Sequence, residues 1–166
     1  MGVSVGVIAV ELRQAYQNHL EGFNFTVFAT LTYEKNVSEF TARKDLNHFK
    51  KRLYSKLYRK KSDGLLSFVG FLEENSSGCL HWHLMFQPIR KLSGETGVGA
   101  DKRLQFHIKN VWLGMKNTPY TQAGTDLQLI YEKINLINYL LKSSVSAGDF
   151  DFIEYAHFNP EMVKAA

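Results

Sequence analysis

His81 and His83 are separated by one residue in the run CLHWHLMF, residues 79–86. Alternate side chains of an extended strand share a face, so this spacing sets His81, His83 and Met85 on one side and Trp82, Leu84 and Phe86 on the other. The large apolar trio claims the core. The imidazoles are then neighbours on the opposite side, where neutral ring nitrogens can bind one divalent cation. Upstream, SFVGFLEENSSGC (67–79) reads as a strand ending near Glu74 and a turn through Asn75, Ser76, Ser77 and Gly78, which makes a hairpin with the histidine strand. Glu73 or Glu74 would present a carboxylate beside the imidazoles. An acid with paired imidazoles and open coordination positions suits Mg²⁺ or Mn²⁺ at a phosphate, or Zn²⁺. Cys79 shares the histidine side, but the chain has no second cysteine to complete a structural zinc site.

A second constellation lies in NYLLK, residues 138–142, where Tyr139 and Lys142 are three apart and adjacent on a helix. A phenol near its ordinary pKa of about 10 is a poor nucleophile. A nearby ammonium favours the phenolate and can also hold a phosphate oxygen. With a metal polarising a phosphodiester, such a phenolate can attack phosphorus and leave a covalent phosphotyrosine.

The elements that must position these groups follow from periodicity. Residues 3–21 have a helical pattern closed by Gly22. FNFTVFATLTY (23–33) alternates Phe23, Phe25, Val27, Ala29 and Leu31 with Asn24, Thr26, Phe28, Thr30 and Thr32, which predicts a strand. Ser38 caps a helix whose core side is read as Phe40, Leu46, Phe49, Leu53 and Leu57. Hairpin strands are expected at about 65–74 and 79–87, stopped by Pro88. The glycine-rich segment 93–102 lacks a phosphate-loop pattern and reads as a mobile loop. Asp101 opens a helix with Leu104, Ile108, Val111, Trp112 and Met115 on one side; a strand at 125–131 and a helix at 133–143 follow. This order predicts an α+β, split βαβ (ferredoxin-like) antiparallel sheet with helices on one face and the histidines on the exposed one. The tail from Ser144 carries Phe150, Phe152, Tyr155 and Phe158 and is expected to pack back in part.

At 166 residues, 45% hydrophobic, the chain reads as one globular domain spanning 1–166. A single cysteine excludes an internal disulfide framework and fits a reducing, intracellular setting. The N-terminal VSVGVIAV has no basic leader and runs into Glu11 and Arg13, against a signal peptide or membrane span. The net charge of +4 hides an asymmetry: residues 43–61 hold nine Lys and Arg against Asp45 alone. A cluster of that kind is a footprint for DNA or RNA. Lys44, Lys50, Lys51, Arg52, Lys56 and Arg59, with Arg90 and Lys91 further on, are the candidate backbone contacts.

Taken in order, FATLTY (28–33), HWH (81–83) and YLLK (139–142) resemble the motif series of HUH endonucleases in the arrangement of replication initiator (Rep) proteins. The resemblance covers about residues 23–145. It implies that His81 and His83 ligate Mg²⁺ or Mn²⁺, that Glu73 is the third ligand with Glu74 as alternate, and that Tyr139 is the single nucleophile with Lys142 one turn on. It implies a nuclease that nicks single-stranded or hairpin origin DNA, stays joined to the 5′ phosphate and frees a 3′ hydroxyl for rolling-circle synthesis. Host polymerase and a separate helicase are the implied partners, since no ATP-binding motif is present. The setting would be the bacterial cytoplasm for a phage or plasmid protein and the host nucleus for a eukaryotic viral one. Ala29 stands where the first motif usually has threonine, and Trp82 is bulky for its position. Tyrosine transposases share this motif order but often carry glutamine after the tyrosine. A non-catalytic single-strand-binding module would account for the basic helix and aromatics, but not for histidines, acid and tyrosine-lysine pair together.

Overall fold

A computed structural model describes residues 5–58, 64–91, 98–115, 124–146 and 153–158. In chain order these form α1 (Val5–Glu21), β1 (Val27–Thr32), α2 (Glu39–Leu57), β2 (Gly64–Glu74), β3 (Leu80–Phe86), β4 (Arg90–Lys91), α3 (Val98–Leu113), β5 (Thr125–Leu129), α4 (Lys133–Ser146) and β6 (Ile153–Phe158). The strands make one sheet in the order β4-β2-β3-β1-β5, with β6 also pairing β2. Every pairing is antiparallel. Because β1 and β2 both run opposite to β3, they are parallel to each other, and α2 is the crossover between them.

The expected α+β antiparallel fold is the one that forms, and its helices occupy both faces of the sheet. Val27, Ala29, Leu31, Phe68, Leu72, Trp82, Leu84 and Phe86 meet Leu46, Phe49 and Leu53 of α2 and Leu104, Ile108 and Trp112 of α3. On the other face Phe28, Val69, Phe71 and Met85 meet Leu20 of α1 and Ile137, Leu140 and Leu141 of α4. The one-sided arrangement expected from sequence fails because these four strand residues are themselves apolar and need cover. Gly70 makes room on the α2 side: a Cβ there would stand 2.8 Å from Leu84 Cδ2.

Local rules account for most boundaries. Ser38 Oγ accepts a hydrogen bond from the Thr41 amide at 3.2 Å and caps α2. Phe40 is exposed rather than buried. At 100° per residue it lies about 150° from the centre of the Ala42–Leu46–Phe49–Leu53 stripe. The helix α3 starts at Val98, inside the segment read as a loop; residues 92–97 lie outside the described residues. Asp101 is then within its first turn, where it accepts from Thr26 Oγ1 at 2.9 Å. The tail contributes β6, whose Ile153–Phe158 pairs Leu66–Phe71 along the outer edge of β2. Lys133, at the start of α4, donates to the carbonyls of Glu21 and Phe23 at 2.6 and 2.8 Å and so closes the C-terminal end of α1. Among the described residues no helix is long and apolar enough to cross a membrane.

Candidate metal centre

The β2–β3 turn sets the register of the site. Asn75 Oδ1 accepts from the Ser77 and Cys79 amides at 3.0 and 2.9 Å and from Ser77 Oγ at 2.7 Å. Gly78 completes the turn at φ +79°, a left-handed value that a side chain would resist. The turn places Glu73 across from His81 and Phe71 across from His83, while Glu74 pairs Leu80. Since neighbouring residues point to opposite faces, Glu73 joins the imidazoles and Glu74 does not.

Glu73, His81 and His83 converge on one point. His81 Nε2 and His83 Nε2 are 3.1 Å apart, and a Glu73 carboxylate oxygen is 3.2 Å from His83 Nε2 and 3.7 Å from His81 Nε2. Two donors each about 2.1 Å from one ion lie about 3 Å apart at a right angle and about 3.4 Å at a tetrahedral angle. The observed separations have that size. A ring N–H can bridge the two imidazoles when no ion is bound, and with both Nε2 lone pairs free the three donors could hold a metal ion. Cys79 is not one of the donors. The group is partly to largely buried, with His83 8% exposed.

Two residues overlooked in the strand pattern support His83. Thr30, directly across β1 from His83, has its Oγ1 3.0 Å from His83 Nδ1. With Nδ1–H donating to that oxygen, the Nε2 lone pair is turned toward Glu73 and His81. The Phe28 ring stacks on the His83 ring at 5.5 Å and 17°. The signal was present in FATLTY, where Phe28, Thr30 and Thr32 share the histidine face by alternation.

Tyr139 is 62% exposed on α4. Its neighbours Leu140 and Leu141 are buried in the same cluster as Phe28 and Phe71, so α4 lies on the histidine face. Lys142 is exposed one turn further along. The basic residues are distributed differently. Lys44, Lys51, Arg52 and Lys56 are exposed and Lys50 half-buried on α2, which packs on the face opposite the histidines. Arg52 Nη1 donates to the Gly114 carbonyl at 2.9 Å, past the end of α3. Burial, and after it the charges of Arg103 and Lys56, hold the His107 imidazole below its ordinary pKa. Arg59 lies outside the described residues, as do the side chains of Arg90 and Lys91.

No curated protein and no solved structure matches the chain. The sequence profile of the replication-associated protein ORF2/G2P family matches residues 26–144, from the strand that bears Thr30 through the helix that bears Tyr139, and the chain belongs to that family.

Proposed function

We propose that this protein is a metal-dependent endonuclease and strand transferase of the HUH type, which nicks one DNA strand at a replication origin and remains joined to it through Tyr139. The observation that carries the reading is the convergence of Glu73, His81 and His83 on the sheet face that α4 flanks, in a chain of a replication-associated family. Glu73 and the two Nε2 atoms would hold Mg²⁺ or Mn²⁺, two neutral imidazoles and one carboxylate leaving coordination positions for a phosphate oxygen. The ion, when bound, would polarise that phosphodiester.

The other steps belong to the chain. Thr30 Oγ1 can accept the His83 Nδ1–H, which leaves Nε2 free for the ion. Tyr139, exposed, gives its phenolic proton to solvent water and its oxygen attacks phosphorus. The bond to phosphorus forms as the bond to the 3′ oxygen breaks, and that oxygen leaves as a hydroxyl after taking up a proton. Lys142 offers its ammonium to a phosphate oxygen as negative charge gathers there. Attack by another 3′ hydroxyl on the phosphotyrosine reverses the step and joins strands.

The test is a denaturant-resistant adduct between the protein and labelled single-stranded origin DNA in Mn²⁺. It is expected with the native chain and absent with Tyr139→Phe or after chelation. DNA binding with no adduct under any divalent ion would leave a non-catalytic binding module instead.

A further inference from the structure

Beside the metal centre is a pocket of about 400 Å³ lined by Phe28, residues 128–132 and Leu136. Gln128 pairs Phe28 across β5 and β1, so both lie on the histidine face. Leu136 comes from α4. The pocket therefore opens between the edge strand β5 and the start of α4. Phe28 joins it to the metal centre: the ring that forms part of its wall also stacks on His83. Tyr131, also in the wall, leaves 86% of its surface in solvent.

We infer that this pocket receives a nucleobase of the strand whose phosphodiester lies at Glu73, His81 and His83. The inference rests on the nuclease reading for the phosphate's position and adds where the neighbouring base goes. Three features select a base over other ligands. The wall is mainly apolar and presents two aromatic rings, Phe28 and Tyr131, which suit a flat, unpaired base. It has no cation and one carboxylate, Glu132, so a phosphate is disfavoured inside it and the backbone must stay outside. The Gln128 amide, which donates to Asp126 Oδ2 at 2.8 Å, and the Glu132 carboxylate, which accepts from Asn135 Nδ2 at 2.7 Å, supply polar groups of both kinds for a base edge. One aromatic ring separates pocket and metal ligand, and a nucleotide likewise carries its base about one sugar's breadth from its phosphate.

The experiment is an amide NMR titration in Mg²⁺ with each of the four deoxynucleoside 5′-monophosphates and, as the baseless probe, deoxyribose 5-phosphate. Nucleotides are expected to shift the resonances of residues 128–132 and the Gln128 side-chain amide, and the baseless probe is not. Tyr131→Ala, which removes a solvent-exposed ring and leaves the core intact, is expected to weaken nucleotide binding about tenfold while metal affinity stays unchanged. Equal shifts from the baseless probe, no shifts in 128–132, or undiminished binding by Tyr131→Ala would overturn the inference. The readout needs no cleavage. Base-dependent shifts without any Tyr139 adduct would remove the nuclease reading and keep the pocket; an adduct without such shifts would do the reverse.

Discussion

Thr30 illustrates how much of a candidate metal centre is decided outside its donors. A hydroxyl 3.0 Å from Nδ1 holds the His83 ring with Nε2 facing the other donors, and its oxygen can accept an Nδ1–H that leaves Nε2 free for an ion. Replacing it with the near-isosteric valine keeps the strand and the volume and removes that oxygen. Loss of such a partner weakens metal binding about 10- to 100-fold, so Thr30→Val is expected to lower Mn²⁺ affinity by that factor in calorimetric titration, with the folded spectrum retained. Unchanged affinity would show that the hydroxyl does not orient the ring. Glu73 makes the complementary point. It differs from Glu74 by one position in sequence, yet one meets the imidazoles and the other pairs Leu80 on the far side.

Elements carry the separation between chemistry and charge. The helix α4 lies on the histidine face and the basic helix α2 on the opposite one. DNA that reached both would have to pass around the sheet or present a flanking segment to α2, so on the proposed reading the cations of α2 would act on affinity through phosphates at a distance from the donor cluster. Arg52 is already engaged with the Gly114 carbonyl, which makes the exposed Lys44, Lys51 and Lys56 the cleaner probes. Each phosphate contact contributes about 0.7 to 0.9 to the slope of log affinity against log salt. Neutralising all three to glutamine is expected to flatten that slope by about 2 to 3 in filter-binding or anisotropy titrations. A slope that does not move would mean that this helix face is solvated and touches no nucleic acid.

For the whole molecule, the donors clip β2 to β3 in the middle of the sheet, so an ion held there binds only the folded state. Metal at 100 times its dissociation constant adds about 2.7 kcal/mol, and each kcal/mol raises Tm by about 2–4 °C in a chain of this size. A rise of about 5–10 °C with saturating Mn²⁺ is therefore expected by calorimetry, and Glu73→Gln should abolish most of it; an equal rise in the variant would place the ion elsewhere. Much of this architecture was legible in one dimension. The alternation in CLHWHLMF and FATLTY, the Asn75–Gly78 turn and the stripes of α2 and α3 are local patterns of period 2 or 3.6, and each dictates which side of its own element is apolar. Phe40 was misread because an apolar residue near a helix start fits a stripe only if its angle is counted. What only the tertiary structure decided is which elements meet: that Thr30 faces His83, that α1 and α4 cover part of the histidine face, that α2 sits behind the sheet, and that Phe28 and Tyr131 share a pocket with Leu136. Those contacts join residues far apart in the chain, and they depend on strand order and on the face each helix crosses. Side-chain periodicity within one segment carries no information about either.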